Sequence, residues 1–281
     1  MANLHTLKAG LAMGESPRWH DGRLWLSDWG AQEVLSVDLD GNSEIAVRMP
    51  SMPFCFDWLA GGALAIVSGR EGQLLRREAD GSLATLAELN AISRGPWNEI
   101  VVDGVGNAYV NSIGFDFPGG EFVPGIIAAV APDGSGRQVA DGVAFPNGMV
   151  VTPDNSTLIV AESWGSKLTA FDVGDDGSLS NRRTWAELDG GAPDGICLDA
   201  DGAIWYGDVP NRRCVRVAEA GEVLQTIELD RGCFACALGG ADGRTLFMVV
   251  SEWPPNMERR AGQVLTTEAP APAARRPSSA T

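Results

Sequence analysis

A strand–turn–strand pattern recurs six times along this chain of 281 residues. In each copy a short apolar segment is followed by a tight turn rich in Asp and Gly, and then by a second segment of β-forming residues, which is typical of a β-hairpin. The residues that open the second segments are spaced by 40 to 49 positions: Gly22, Gly62, Gly106, Asn155, Gly202 and Gly243. A repeat of this length limits the chain to a small set of repeat architectures.

A third β-rich segment follows in every copy, and a fourth follows in the first five copies. Four strands per repeat at a period of about 44 residues are typical of a β-propeller blade. The sequence therefore predicts an all-β, six-bladed β-propeller with four-stranded blades, with a generic β-sandwich as the alternative. Because the sixth copy lacks a clear fourth strand, we expect the N-terminal segment LHTLKAG to fill that place, close the ring and remove a free sheet edge.

The end of the chain differs in composition from the repeats. The last residues, APAPAARRPSSAT, are rich in Pro, Ala and Ser, which is typical of segments without a packed core. We therefore expect one propeller domain over residues 1–267 and a disordered tail over residues 268–281.

Charge and composition limit the partners and the location. The chain has 21 Lys and Arg residues against 37 Asp and Glu residues, a formal net charge of −16. Such an acidic chain repels phosphate groups, so we expect neither nucleic acid nor a membrane surface as a partner. No membrane span or signal peptide is evident, and the five scattered cysteines do not resemble a disulfide framework, which together predict a cytoplasmic protein. The sequence leaves the oligomeric state open.

Oxygen-bearing side chains recur at the start of the first strand in four repeats. The position lies seven or eight residues before the turn residue and holds Glu15, Asn98, Asn147 and Asp194. In the second and sixth repeats the same count leads to the apolar residues Phe54 and Ala235. Because the first strand of a propeller blade lines the central channel, we expect the four polar side chains to converge at one mouth of that channel.

Two carboxylates and two amides are hard oxygen donors, which suit a divalent cation such as Ca²⁺, Mg²⁺ or Mn²⁺. The alternative is that Asn147 and Asp194, each followed by Gly, belong to ordinary turn dipeptides. A second candidate metal site, the Cys233-x-x-Cys236 pair, lies in an apolar run without a partner motif or a nearby His, so buried strand residues are the favoured interpretation.

Four motifs in the chain carry a family resemblance: GESPRW, WNEIVVDGVGNAYV, FPNGMVVTPDNSTLIVAES and PDGICLDADGAIWYGD. In this order the sequence resembles the gluconolactonase/regucalcin (senescence marker protein) family over nearly the whole chain before the tail. The resemblance implies a six-bladed propeller that hydrolyses a lactone with one divalent metal ion. It implies that Glu15, Asn147 and Asp194 are the metal ligands and that Asn98 binds substrate, with Ca²⁺ expected first and Zn²⁺, Mn²⁺ or Mg²⁺ as alternatives.

The sequence departs from that family where the substrate is expected to bind. The family often has Arg two residues before the substrate-binding Asn, whereas this chain has Pro96 there and Arg94 nearby. Trp97 adds an apolar candidate for substrate contact. The family's variable lid corresponds to residues 114–125, GFDFPGGEFVPG, in which Glu121 is a polar candidate and Phe115 or Phe117 is a candidate for covering the pocket. The substrate is therefore expected to be a sugar lactone or a less polar small lactone.

The predicted chemistry is attack of a metal-activated water on the lactone carbonyl, with Asp194 as the general base and acid. A Ser-His-Asp mechanism is disfavoured because the chain has two histidines and no GxSxG motif. Two alternatives stay open at this stage: an ester or organophosphate hydrolase that uses the same metal site, and a propeller that binds a metal or ligand without catalysis.

Overall fold

Twenty-four β-strands and three short 3₁₀ turns form the regular structure of residues 3–275, the part of the chain that the computed structural model describes. The first strand stands apart from the sheet that follows it. Blade one is the antiparallel sheet of the next four strands, which pair in chain order. These five strands are β1 (His5–Leu11), β2 (Gly14–His20), β3 (Arg23–Asp28), β4 (Glu33–Val37) and β5 (Ser43–Arg48).

Blades two, three and four are the next three sheets, each with four strands in chain order. Blade two contains β6 (Phe54–Trp58), β7 (Leu64–Ser68), β8 (Gln73–Arg77) and β9 (Leu83–Glu88). Blade three contains β10 (Trp97–Val102), β11 (Ala108–Ser112), β12 (Gly125–Val130) and β13 (Gly136–Val143). Blade four contains β14 (Pro146–Val151), β15 (Thr157–Glu162), β16 (Lys167–Val173) and β17 (Leu179–Glu187).

Blades five and six complete the six-bladed β-propeller. Blade five contains β18 (Pro193–Leu198), β19 (Ile204–Asp208), β20 (Arg213–Val217) and β21 (Val223–Glu228). Blade six contains β22 (Gly232–Gly239), β23 (Thr245–Ser251) and β24 (Gly262–Glu268). The N-terminal strand β1 pairs with β24 as the fourth strand of this blade, from His5 opposite Thr266 to Leu11 opposite Gly262. The predicted fold class is therefore confirmed.

The 3₁₀ turns cover Leu89–Ala91, Glu219–Gly221 and Met257–Arg259. In the part of the chain that the structure describes, no helix has the length and apolar character needed to cross a membrane.

The chain divides into two compact units. The terminal unit runs up to Pro50 and resumes over Ala186–Arg275, so it holds blades one, five and six. The central unit is Ser51–Trp185 and holds blades two, three and four. The expectation of one domain over residues 1–267 stays a prediction.

The inner strands of each blade carry the hydrophobic core. Every residue of β7, β11 and β19 is buried, whereas the outermost strands β5, β13 and β21 are largely exposed. In the terminal unit the Trp19 ring stacks on Phe247 with 5.4 Å between centroids. In the central unit Tyr109, Ile127 and Leu158 belong to one buried cluster. Burial of both faces of a sheet explains why these inner strands read as nearly continuous apolar runs.

The segment after β24 differs from the expected disordered tail. Ala269 and Ala271 are buried, and the backbone N–H groups of Ala273 and Ala274 donate hydrogen bonds to the carbonyls of Gly243 and Leu198. An isolated bridge also pairs Asp199 with Ala273. The predicted disorder is therefore wrong for residues 269–274, because small residues fit against blades five and six and satisfy their backbone groups there. Residues 276–281 lie outside the described residues.

Aspartates close several hairpin turns, one between a first and a second strand and three between a third and a fourth strand. The carboxylates of Asp80, Asp133, Asp154 and Asp176 each accept a hydrogen bond from the backbone N–H of the Ser two residues later, at 2.9–3.1 Å. Hydrogen bonds from Ser and Thr side chains, together with these backbone bonds, hold the pKa of each carboxyl below its ordinary value.

We predict that acid weakens these turns. Because the folded-state pKa lies below the unfolded value of about 3.9, their stabilisation is complete at higher pH and is lost as the pH falls through the folded-state pKa. The midpoint of urea unfolding should therefore change little from pH 7 to 5 and decrease below about pH 4. The Asp80→Asn, Asp133→Asn double variant should lose less stability over the acid range than the wild type. Equal acid losses in the two proteins would contradict the prediction.

Candidate metal and substrate site

The four polar residues that the sequence singled out occupy one repeated position. Each is the second residue of the first strand of its blade: Glu15 in β2, Asn98 in β10, Asn147 in β14 and Asp194 in β18. Glu15 is buried, and the other three are partly buried. The spacing from the turn residue thus identified an equivalent backbone position in all four blades.

A β-bulge lies at each of these residues. The pairing of the first strand with the second shifts register between Glu15 and Arg18 in β2, and between the first and fourth residues of the other three strands, a stretch that contains the polar residue. The two strands that carry a cysteine at this position differ: β6 pairs with β7 without a shift, whereas β22 has a shift between Cys233 and Ala235. Bulges are common beside functional sites because the extra residue changes the direction of a side chain. The four polar residues therefore share a local backbone geometry as well as a position.

In the terminal unit, buried aspartates at the ends of the second strands hold the loops that enter β2 and β18. Asp28 lies opposite Gly14, and its carboxylate accepts hydrogen bonds from the N–H groups of Ala12 and Met13 at 3.0 and 2.9 Å. Asp208 lies opposite Pro193 and accepts hydrogen bonds from the Ala192 N–H in the entering loop at 3.4 Å and from Arg213 Nε at 2.9 Å. The backbone just before Glu15 and Asp194 is fixed in this way.

In the central unit Glu162 has the same role. It lies opposite Pro146 and is 1% exposed. Its carboxylate accepts hydrogen bonds from the Ala144 N–H at 2.7 Å, from Arg182 Nη2 at 2.9 Å and from the Thr169 hydroxyl. The turn that leads into Asn147 is therefore tied to the second strand of its own blade by charge-assisted bonds.

Asn111 connects the two amide residues of the central unit. Its Oδ1 accepts a hydrogen bond from the Glu99 N–H at 3.2 Å, and its Nδ2 donates to the Asn147 carbonyl at 2.7 Å. Asn98, next to Glu99, is thereby coupled to the strand that carries Asn147. The Asn147 side chain donates through Nδ2 to Ser163 Oγ at 3.4 Å, which leaves Oδ1 as its acceptor.

The two carboxylates of the terminal unit lie on either side of β22. This strand packs against both β2 and β18. A hydrogen bond with Cys214 lowers the pKa of the Cys233 thiol. Burial and the charges of Cys236, Asp194 and Glu15 raise this pKa by more, so the net change is upward. Both carboxylates are thus close enough to act on the same thiol.

The residues at the repeated position in blades two and six are cysteines. Cys55 and Cys233 are the second residues of β6 and β22, and both are buried. The sequence count led instead to Phe54 and Ala235. It was wrong in these two blades because the distance from the turn to the strand start differs, by one residue in blade two and by two in blade six.

The remaining predicted substrate contacts lie in different environments. Trp97 is 0% exposed, so its ring belongs to the blade core, and the prediction that it offers an apolar surface to substrate is wrong. Its position in β10 directs the ring inward while Asn98 stays partly exposed. Arg94 and Glu121 are both exposed, in the loop before β10 and in the segment 114–125. Their roles stay predictions.

An aromatic cluster lies beside Asn147. We define it as Phe115, Phe117, Phe122, Phe145 and Trp164, whose rings contact one another with centroid distances of 5.0 to 6.4 Å. Three members come from the candidate lid, as the sequence indicated for the first two. Phe145 was missed because it lies in a turn, where its position beside the lid depends on tertiary structure.

The cysteines do not form a structural metal centre. Cys197 and Cys236 lie with their sulfurs 3.7 Å apart, and burial raises the pKa of both thiols well above the ordinary value. Among residues 3–275, no three His, Cys, Asp or Glu side chains are arranged to hold a metal ion. The favoured interpretation of Cys233 and Cys236 as buried strand residues agrees with these observations. A metal held by Glu15 and Asp194 would need amide or water oxygens as its further ligands.

These features define a class of six-bladed propellers that display oxygen donors at the start of successive first strands. Residues 13–252 match the family model described as the SMP-30/Gluconolactonase/LRE-like region. The chain therefore belongs to that family, as the sequence motifs indicated.

Individual relatives agree with this assignment. The chain is similar to regucalcin from Xenopus laevis, with 28% identity over 84% of this chain and 82% of the relative. It is also similar to a 6-deoxy-6-sulfogluconolactonase from Pseudomonas putida, with 26% identity over 85% of this chain and 83% of the relative. Among solved structures, a calcium-binding regucalcin from Agrobacterium tumefaciens covers the chain fully and matches over 98% of its own length, with a TM-score of 0.81 and 18% identity. At that identity the structural match supports the fold alone.

We predict that Glu162 is a major stabilising residue of the central unit. Glu162→Gln removes the charge that holds the Ala144 N–H and Arg182, and hydrogen bonds to charged groups contribute about 1.5–3 kcal/mol each. The free energy of unfolding, measured by urea denaturation, should fall by about that amount. The matched control is Glu78→Gln, which removes an exposed ion pair with Arg76 and should cost about 1 kcal/mol or less. Equal losses in the two variants would contradict this role.

Proposed function

We propose that this protein is a metal-dependent hydrolase that opens a lactone ring. The observation that supports this most is the repeated position of Glu15, Asn98, Asn147 and Asp194, each at a bulge. A scaffold that only binds other proteins does not need two carboxylates and two amides at equivalent strand starts. The family includes a Pseudomonas putida relative named as a lactonase, which supports the same chemistry.

The donor set fits a hard divalent cation. Glu15 and Asp194 supply carboxylate oxygens, and Asn147 has Oδ1 as its acceptor because Nδ2 donates to Ser163. We assign these three residues as ligands, with Ca²⁺ first and Zn²⁺, Mn²⁺ or Mg²⁺ as alternatives, because oxygen donors accept several such ions. When bound, the ion supplies Lewis-acid polarisation and lowers the pKa of water.

The protein side chains transfer the proton and orient the substrate. One Asp194 oxygen accepts a proton from the water whose oxygen attacks the lactone carbonyl carbon. The ring C–O bond then breaks, and Asp194 returns the proton to the departing ring oxygen, which yields the hydroxy acid. Asn98 donates a hydrogen bond that orients the substrate. The bulges and the buried acids Asp28, Glu162 and Asp208 hold these groups in place before substrate arrives.

Calcium binding without catalysis is the second candidate, since regucalcins are among the relatives. An ester or organophosphate hydrolase with the same ligands is a variant of the first candidate and differs in substrate alone. Absence of nucleic acid and membrane partners, and a cytoplasmic location, stay predictions from the sequence.

We predict that lactone opening requires the ion and Asp194. Proton release is measured on a panel from aldonolactones to simple aliphatic and aromatic lactones, before and after removal of metal with a chelator and on restoring each cation. Asp194→Asn should lower kcat/KM by at least about 10²-fold, the usual contribution of general acid–base catalysis. Its control is Asp189→Asn, an exposed position in the loop before the same strand, which should retain activity. Full activity in the chelated protein would exclude the proposal.

We also predict that Glu15 contributes to the metal affinity itself. Glu15→Gln removes one of the charged ligands, so calcium binding measured by calorimetry should weaken by at least about tenfold, as loss of a charged ligand lowers affinity. Glu44→Gln, an exposed residue of the same blade, is the control and should bind calcium as the wild type does. Tight binding in the wild type with no turnover on any lactone or ester would favour the second candidate.

A further inference from the structure

The aromatic cluster presents a continuous apolar surface to solvent. Phe117, Phe122 and Trp164 are 42%, 43% and 51% exposed, whereas Phe115 is buried beneath them. Isolated exposed apolar residues are ordinary, but contiguous patches mark places where proteins bind other molecules. Val123, also half exposed, extends the patch along the same loop.

The fold holds one member of the cluster in a strained conformation. Phe145 has a φ of +57°, which is rare for a bulky side chain. Its carbonyl accepts a hydrogen bond from the Ser163 N–H at 3.1 Å, and the Ala144 carbonyl accepts one from the Trp164 N–H at 3.2 Å. The result is a Phe145 ring stacked on Trp164 at 5.4 Å and 27°. Strain of this kind persists where the surrounding structure enforces it, and it concentrates at ligand sites.

The cluster adjoins the predicted amide group. Phe145 lies two residues before Asn147, and Trp164 directly follows Ser163, whose hydroxyl accepts from Asn147 Nδ2. A small molecule that reaches Asn147 therefore meets aromatic rings on that side. Hydrogen bonds from Ser163 and Trp164 to the turn before Asn147 therefore hold the aromatic rings next to the Asn147 side chain.

The composition of the cluster favours an apolar group. The charged residues of segment 114–125, Asp116 and Glu121, are both acidic, so this segment offers no cation to an anionic ligand. A planar apolar group suits this surface better than a polyhydroxylated sugar ring, because aromatic rings gain from stacking and from burial of apolar area.

We propose that the aromatic cluster is a subsite for an aryl or similarly planar apolar group on the substrate. The substrate class is then an aryl-substituted lactone or ester rather than a sugar lactone. The reaction at this subsite rests on the proposed hydrolase function, but binding of the aryl group does not, so the two can be tested apart.

The kinetic test uses two lactones that differ in one substituent, γ-butyrolactone and γ-(4-fluorophenyl)-γ-butyrolactone. The wild type should prefer the aryl compound in kcat/KM. Trp164→Ala and Phe117→Ala should each lower the ratio of the two kcat/KM values by about 3- to 10-fold, the effect of losing one aromatic contact. Trp253→Ala is the control, since Trp253 is 49% exposed in the terminal unit and contacts Phe234; its ratio should match the wild type. Thermal melts check that all three variants are folded.

A binding test separates this proposal from the catalytic one. The fluorine NMR signal of the aryl lactone is recorded with chelated protein, in which hydrolysis is not expected. The signal should broaden with the wild type and the Trp253→Ala variant and broaden less with Trp164→Ala. Aryl binding that depends on Trp164, without turnover in any metal, would keep the subsite and overturn the hydrolase. Turnover with the same substrate ratio in all variants, or broadening that Trp164→Ala leaves unchanged, would overturn the subsite.

Discussion

The candidate site depends on the pairing between the first and second strands of a blade. Gly14, Pro146 and Pro193 each lie opposite an acid at the end of the second strand, and the next residue is the predicted ligand. A buried carboxylate at this position requires hydrogen-bond donors, which the backbone N–H groups of the entering loop and nearby arginine side chains supply. The same hydrogen bonds therefore stabilise the blade and orient the predicted metal-binding side chain, so a substitution that removes these bonds affects both.

The fold and the four repeated strand-start positions were predictable from one sequence because they depend on local patterns. Asp and Gly turns fix the length of the inner hairpin, so counting back from the turn reached Glu15, Asn98, Asn147 and Asp194. The count failed where hairpin lengths differ. Cys233 was missed for that reason, and it lies close enough to Glu15 and Asp194 for their charges to raise its pKa.

The features that the sequence concealed depend on contacts between distant segments. No residue next to Glu162 in the sequence indicates that its carboxylate accepts hydrogen bonds from the Ala144 N–H and the Arg182 guanidinium. The sequence predicts that Trp97 contacts substrate, because it adjoins the polar residue Asn98 and nothing in the sequence indicates that its ring is buried. The packing of residues 269–274 was also not predictable, because Ala and Pro are common in disordered segments. The backbone groups that this segment bonds belong to blades five and six, which are distant in sequence from most of the segment.

The pairing of β1 with β24 has a consequence for synthesis on the ribosome. The central unit is a contiguous stretch, Ser51–Trp185, so it is synthesised before the strands of blades five and six. Blade six, in contrast, joins His5 to Thr266, two residues that all the other blades separate in sequence. During translation β1 therefore remains without its partner until β24 has emerged, and its unpaired edge is open to pairing with other chains throughout that interval.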